Sequence, residues 1–396
     1  MKIGIIGAGA AGCFSAIEIK RARPDWQVTI FEAGSKPMSK LALTGGGRCN
    51  MTNTFEFVRS LKEVYPRGDS LMKRLLKSFG PGDCRNWFSV LSIASTAERD
   101  GRVFPVCQSA PTVVRAMERE MRRLHVELRC NTRVKGLTQL ENGLWDVCSE
   151  TFDRIIFTPG GGALKPLENL SLDITKPVPS LFTFKIHDSE LNSLMGISVE
   201  NTSLSIPGTN FKAGGSLLLT DWGISGPSTL KLSSYAARHL AEVQYNTAIC
   251  INWLSFNQEE MRQWCTLHRN QDAKKYLSNT RPEELPERLW KHLLRKAGLR
   301  EDLRWSEIGE KGLGRLVNTV CADTVQICGR AAFKEEFVTA GGVCLNEVNP
   351  STLECKRYPG LFFAGEVLDI DAVTGGFNLQ AAWSTAHTAA HGATRN

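Results

Sequence analysis

The sequence predicts an α/β protein, a doubly wound, Rossmann-like parallel sheet interrupted by an inserted domain. Three observations predict it. Near the N-terminus an apolar strand runs into G-x-G-x-x-G, a helix, a second strand and an acid, in that order. Two later strands end in glycine-rich exits, one at 158–162 and one running from Gly365 to Gly376. Between these exits, after Pro177-Val178-Pro179, the composition changes, and the glycine-rich style returns only at Phe337.

Residues 2–6 are a short apolar run ending at glycine, the pattern of a buried strand. Gly7 lets the chain turn sharply, Gly9 has no Cβ to hold a pyrophosphate away, and Gly12 allows close helix packing. Residues 10–23 read as a helix whose free N–H groups and dipole face phosphates. Residues 27–31 read as the second strand. Glu32 follows it, 20 residues after Gly12, where a carboxylate accepts from a ribose hydroxyl. The order of parts points to dinucleotide binding. The alternative is a glycine-rich turn in a parallel sheet with no ligand.

Gly45, Gly46 and Gly47 cannot lie in a regular helix or strand without cost. Thr44, Arg48, Asn50, Thr52 and Asn53 surround them with polar groups. The stretch reads as a loop that approaches a ligand closely and lines it with N–H groups. Residues 71–79 and 83–91 read as short helices broken by Gly80-Pro81-Gly82, and 112–124 as an amphipathic helix. Residues 126–130, 134–139, 145–148 and 154–157 read as strands.

The inserted segment is placed at 181–335, β-rich over 181–256 and helical over 257–320. Within it 181–186, 203–206 and 216–220 read as strands, 222–227 as a turn, and 229–241, 258–269, 283–296 and 313–319 as helices. The flanks, 1–180 and 336–396, form one discontinuous dinucleotide-binding domain. Residues 361–364 are its last strand, and Gly375-Gly376-Phe377-Asn378 leads into a terminal helix from about Leu379.

With 396 residues the chain has enough surface to bury for two or three domains. Hydrophobic content of 42% and charged content of 22% fit an ordinary globular protein and argue against a disordered or fibrous one. No long apolar span or signal-like N-terminus is present, so no membrane contact and a cytoplasmic location are expected. The 12 cysteines are scattered with no C-x-x-C pair, which favours reduced thiols over disulfides, zinc or iron–sulfur clusters. Net charge is +7, and residues 59–129 hold 14 Lys+Arg against 8 Asp+Glu. A basic face of this kind meets a polyanion such as RNA, or is simply a solvated helical face.

The motifs GAGAAG, LTGGGRCNMTN, TAGGV and GLFFAGEVLDIDAVTGGFNLQ resemble those of the BaiN-like, aminoacetone-oxidase-like family of bacterial NAD(P)/FAD-dependent oxidoreductases, and the likeness runs through nearly the whole chain. The resemblance implies a glutathione-reductase-like, discontinuous FAD-binding domain with an inserted β-barrel-like and helical domain. It implies that Gly7, Gly9, Ala10, Ala11, Glu32 and Ala33 hold the ADP half. Lys40, Thr44, Gly45, Gly46, Gly47, Arg48, Cys49, Asn50 and Thr52 would run beside the pyrophosphate and flavin. Val134 would meet the adenine, and Thr158, Gly160 and Gly161 the adenosine side. Gly365, Glu366, Asp369, Gly376, Phe377, Asn378, Leu379 and Gln380 would reach the ribityl chain and pyrimidine edge. Two departures stand out: Pro159 replaces a small hydroxyl residue, and 163–176 is abbreviated. A glycine-led helix N-terminus at the pyrimidine edge also has its own logic, since it favours the anionic reduced ring.

Cys49 is a candidate proton donor to a carbon receiving hydride, or a small residue chosen for fit. Arg48 would bind an anionic or carbonyl-bearing substrate, or brace the loop. His387 and His391 stand at i, i+4 without the Glu of H-E-x-x-H, so they read as a surface pair and no metal is expected. Trp253, Trp264, Trp290 and Trp305 read as core. No second G-x-G-x-x-G marks a nicotinamide domain, so NAD(P)H docks transiently or oxygen takes the electrons. The readings are a reductase of activated C=C bonds, on a small molecule or on uridine in ribosomal RNA; an oxygen-using amine oxidase; and a flavin-holding RNA- or protein-binding module.

Overall fold

The computed structural model describes residues 1–331 and 338–395. The chain divides into two compact units, Met1–Val178 with Val338–Asn396, and Pro179–Phe337. The expected boundary at 335/336 and the return at Phe337 lie outside the described residues.

In the first unit five strands form one parallel sheet: β1 (Lys2–Ile6), β2 (Gln27–Phe31), β3 (Glu127–Arg129), β4 (Arg154–Phe157) and β5 (Leu361–Phe363). Their spatial order is β5-β4-β1-β2-β3, so the strand order reverses direction between β1 and β4. Ligands of such sheets bind at that reversal, beyond the carboxyl ends of the strands. Both faces are covered at β1, β2, β4 and β5, which is why these strands are largely continuous apolar runs, whereas the edge strand β3 is exposed or half-buried.

Helix α1 (Ala10–Ala22) follows β1 and packs against the last helix, α2 (Phe377–Thr394). Phe14 is fully buried, with its ring centroid 4.3 Å from that of Trp87 and 5.6 Å from that of Trp383. The two ends of the polypeptide thus share one core. Ala and Thr are the commonest residues of α2, and its buried Ser384, Thr385 and Thr388 hydroxyls are satisfied by bonds that include carbonyls of its own helix one turn back.

The helices Asp69–Ser78, Pro81–Val90 and Ala110–Arg123 start within three residues of expectation. Pro81 is the first residue of its helix, where its missing N–H has no consequence. Two expectations need correction. Of 134–139 only Thr138–Gln139 is strand, because Leu137 donates to Pro166 O and not to a sheet neighbour. The terminal helix starts at Phe377, since Gly376 at φ +91° makes the turn into it.

The second unit holds a closed six-stranded antiparallel barrel. Its strands, in spatial order, are Phe184–Ile186, Gly223–Ser225, Lys212–Thr220, Ser198–Ser205, Asn246–Asn252 and Asp323–Arg330. The stretch read as a turn at 222–227 contains a barrel strand. Gly223 is there for close approach, because a Cβ would lie 2.8 Å from Ile186 N. The helix read over 229–241 is two helices, Pro227–Tyr235 and Ala237–Glu242. The helices Gln258–Gln271, Glu287–Lys296 and Gly309–Cys321 lie between the last two barrel strands in sequence and share the barrel's core. Trp253, Trp290 and Trp305 are fully buried in that core, and Trp264 is packed against it.

Candidate functional site

The site is built where β1 ends. Gly7 has φ +98°, and a Cβ there would meet Pro159 Cα at 2.7 Å. A Cβ on Gly12 would overlap Gly7 O and lie 2.6 Å from Thr158 Oγ1. Both glycines are therefore demanded by the fold. Gly9 is different: it has φ −77°, and a Cβ built on it meets no atom within 4 Å. The first intrahelical bond of α1 runs from Cys13 N to Gly9 O, which leaves the amides of residues 10–12 as the open helix end. Glu32 stands beside this end, accepting from Ala8 N at 2.8 Å and Gly34 N at 2.6 Å.

The triple-glycine stretch is a tight turn, Thr44–Gly47, with Gly45, Gly46 and Gly47 at φ +58°, +66° and +82°. L side chains rarely adopt that region, so three successive glycines are the physical requirement. A Cβ on Gly46 or Gly47 meets nothing within 4 Å, so this turn also borders open space. Met38 N donates to Ala8 O at 2.7 Å, tying the segment to the β1 exit.

The third part is the start of α2. A Cβ on Gly376 would lie 2.6 Å from Thr52 C and 2.8 Å from the Asn50 side-chain amide. The Asn50 amide, with its oxygen facing Gly376 N at 2.9 Å and its nitrogen facing Thr52 O at 3.1 Å, joins this start to the triple-glycine loop. The first helical bond runs from Gln380 N to Gly376 O, so the amides of Phe377, Asn378 and Leu379 form a second open helix end. Gly365 closes the set: its N–H donates to Thr385 Oγ1 at 2.9 Å, and a Cβ on it would lie 2.9 Å from Ala11 Cβ. Glu366 accepts from Thr339 N at 2.8 Å and Gly161 N at 3.2 Å, and is 3.7 Å from Lys40 Nζ. Two helix N-termini, the acids Glu32 and Glu366 and several glycine gaps therefore belong to one set within the first unit.

At several of the expected cofactor positions the side chain is engaged within the protein. Gln380 is fully buried, accepting from Thr52 Oγ1 at 2.5 Å and donating to Phe79 O at 3.1 Å and Ser384 Oγ at 2.9 Å. Thr158 Oγ1 donates to the carbonyls of Ile6 and Gly7. Asn378 exchanges two bonds with the Ala372 backbone, and Thr44 Oγ1 donates to Leu41 O. What these positions offer a ligand is backbone. Gly160, at φ +89°, turns the chain past Glu366, and Ala33 lies between Glu32 and Gly34. Asp369 donates its N–H to Val343 O. Val134 is buried, two residues past Thr132, whose N–H donates to Glu32 O.

Cys49 is wholly buried, at φ +65°. Burial pushes its thiol up to about 12, against a lowering hydrogen bond with Thr44. The thiol therefore keeps its proton at neutral pH and is sealed from solvent. Arg48 lies 4.0 Å over the Phe104 ring and pairs with Glu98 at 2.8 Å, which braces the loop. Two side chains outside the expected cofactor contacts brace the start of α2: Asn53 donates to Gly375 O at 3.0 Å, and the Tyr65 hydroxyl donates to Phe377 O at 2.9 Å. Asn53 was legible through its place in TGGGRCNMTN; Tyr65 carried no signal. Arg67 and the buried Asp371 form a bidentate pair behind the same helix start.

A family model described as HI0933-like protein Rossmann domain matches residues 1–392. A ribosomal RNA dihydrouridine synthase of Escherichia coli is 30% identical over 400 residues, covering 96% of this chain and 95% of that protein. A 3-dehydro-bile acid delta(4,6)-reductase of Clostridium scindens is 28% identical over 412 residues, covering 99% and 98%. Among solved structures, the 3-ketosteroid delta1-dehydrogenase of Sterolibacterium denitrificans aligns with a TM-score of 0.52 at 10% identity, covering 98% of each chain; that likeness is one of fold.

Proposed function

Because the chain belongs to the HI0933-like family of flavoprotein oxidoreductases, we propose that it binds FAD in the glycine-gated set above and uses NAD(P)H to reduce a C=C bond conjugated to a carbonyl. The observation that carries this reading is the pairing of two open helix N-termini in one unit with full-length relatives whose names both describe saturation of a ring double bond. The residues present fit the cofactor. Gly9, Gly46 and Gly47 leave room where a methyl group would intrude, and Glu32, whose carboxylate accepts from Ala8 N beside the open end of α1, supports a contact to a ribose hydroxyl.

When bound, the flavin supplies hydride acceptance and donation. The chain's own residues bind and bias it. The amides of residues 10–12 and the α1 dipole attract the pyrophosphate. The amides of Phe377, Asn378 and Leu379 present the positive end of an 18-residue helix to developing negative charge. Gln380, Thr52 and Asn378 hold that helix start in place, so little rearrangement is needed when charge develops. Lys40 and Glu366 line the same set with one charge of each sign.

Uridine in ribosomal RNA is the macromolecular form of this substrate class. It is favoured by exposed Arg59, Lys62, Lys73, Lys77, Arg85 and Arg99 within the basic 59–129 region. The test is anaerobic mixing of purified yellow protein with NADPH. Rapid bleaching without added substrate supports the reductase; bleaching by small amines alone, with peroxide on reoxidation, assigns it to the oxidases. Mapping dihydrouridine in ribosomal RNA of a deletion strain then separates the substrates: a lost site supports RNA, and an unchanged map removes it.

A further inference from the structure

Away from the cofactor set, α1 and α2 are tied by three side chains that the chemistry above does not use. Glu18 projects from α1, and His387 and His391 project from successive turns of α2. His387 Nδ1 lies 2.8 Å from Glu18 Oε2, and His391 Nε2 lies 3.6 Å from the same oxygen. The three ligand atoms lie within 4.8 Å of one another. The imidazole centroids are 4.1 Å apart, so both rings crowd one carboxylate oxygen.

We propose that Glu18, His387 and His391 form a transition-metal site of Zn²⁺ type, clasping the first and last helices. Two imidazoles and one carboxylate are a donor set for zinc, which binds nitrogen at about 2.0–2.1 Å and carboxylate oxygen at about 2.0–2.2 Å. Tetrahedral ligands at those lengths stand about 3.4 Å apart. The 3.6 Å separation already matches, and the 2.8 Å one opens by a side-chain adjustment of about 0.6 Å as the metal replaces the hydrogen bond.

The surroundings are those of a ligating carboxylate. Trp87 Nε1 donates to Glu18 Oε1 at 2.8 Å, which fixes the carboxylate and directs Oε2 at the imidazoles. His387 stacks on Phe79 with centroids 4.8 Å apart, so its ring plane is held. The Glu18 side chain is 12% exposed and the His391 side chain 53%, so one face is enclosed and the other open to an incoming ion and a fourth ligand.

The place in the fold sets the consequence. His387 lies ten residues beyond Phe377, about 15 Å along α2, and Glu18 lies eight beyond Ala10, about 12 Å along α1. The ion is therefore far from the two open helix ends. It acts by fixing the register of the helices that carry them, as a structural tie and not a reactant.

The experiment uses the flavin-loaded protein after removal of metal by chelator, titrated with Co²⁺ as a spectroscopic probe and then with Zn²⁺. One Co²⁺ per chain, with a ligand-field band beyond the flavin absorption that Zn²⁺ abolishes, is expected, together with a rise in Tm on adding Zn²⁺. His391→Ala and His391→Gln, at a half-exposed position, should weaken Zn²⁺ binding at least tenfold and abolish the Tm rise while retaining flavin. Absence of the band, its persistence in both variants, or a thiolate-to-cobalt charge-transfer signature from Cys107 or Cys148 would overturn the assignment.

Discussion

Replacing Gly9 by alanine separates a ligand cradle from a structural turn. The three glycines of the β1 exit look alike in sequence but differ in the structure. An alanine at Gly12 drives its methyl onto Gly7 O and to 2.6 Å from Thr158 Oγ1, so strand and helix must part. Overpacking of a backbone contact costs about 1–3 kcal/mol or more, and Gly12→Ala should fail to fold or lose several degrees in Tm. An alanine at Gly9 meets no protein atom within 4 Å, at an ordinary φ of −77°. Its effect on the flavin-free protein is the N-cap difference alone, within about 1 kcal/mol. If a pyrophosphate lies against this loop, the same methyl displaces it. A penalty of about 1.5–3 kcal/mol corresponds to roughly 10- to 150-fold weaker FAD binding. The assay is FAD titration by quenching of flavin fluorescence, with Tm of the flavin-free protein as the control. Wild-type affinity in a normally folded Gly9→Ala protein would refute the placement of the dinucleotide.

At the other helix end, Gly376→Ala should lower both Tm and flavin content, since its methyl meets the Thr52 backbone at a φ of +91°; strain of this kind costs about 1–3 kcal/mol. Gln380→Ala should destabilise by about 1–3 kcal/mol in denaturant melts, because Thr52 Oγ1 loses its short bond and Phe79 O loses one of its two side-chain donors. Iodoacetamide at pH 8 should label exposed Cys107 and Cys148 in the folded protein and spare Cys49, whose thiol burial holds at about 12. The stability Cys49 adds is present below its unfolded value of about 9 and fades as pH rises from there toward about 12, which alkaline melts of wild type against Cys49→Ala will read. Glu120 runs the opposite way. Hydrogen bonding from Arg123, opposed by burial and aided by Arg21, holds it at about 2, so its contribution of about 1–2 kcal/mol is present above pH 4.5 and lost between 4.5 and 2. Acid melts of Glu120→Gln should differ from wild type only above that window.

The parallel sheet was legible because β1, β4 and β5 are buried runs that exit into glycine-rich turns, a local pattern. β2 and β4 fall where the sequence places them, and the terminal helix is off by two residues. The barrel was less legible. The alternation in Asp323–Arg330, with Val325 and Ile327 inward and Thr324 and Gln326 outward, was present in the sequence. Its partner strands lie far away in the chain, so nothing local announced the closure. The bracing bonds of Gln380, Thr158 and Asn378 were illegible for a similar reason. Polar side chains beside a ligand loop and polar side chains bracing that loop have the same composition, and only their hydrogen-bond partners distinguish them.

By itself the sequence determined the glycines, the acid after the second strand and the discontinuity of the domain, because each is a requirement of backbone conformation written at one position. Only the tertiary structure decided which glycine borders open space and which borders backbone, that Cys49 is sealed from solvent, and that Glu18 meets two histidines from the far end of the chain. Those are facts about neighbours, and neighbours are set by how the two ends of the polypeptide pack.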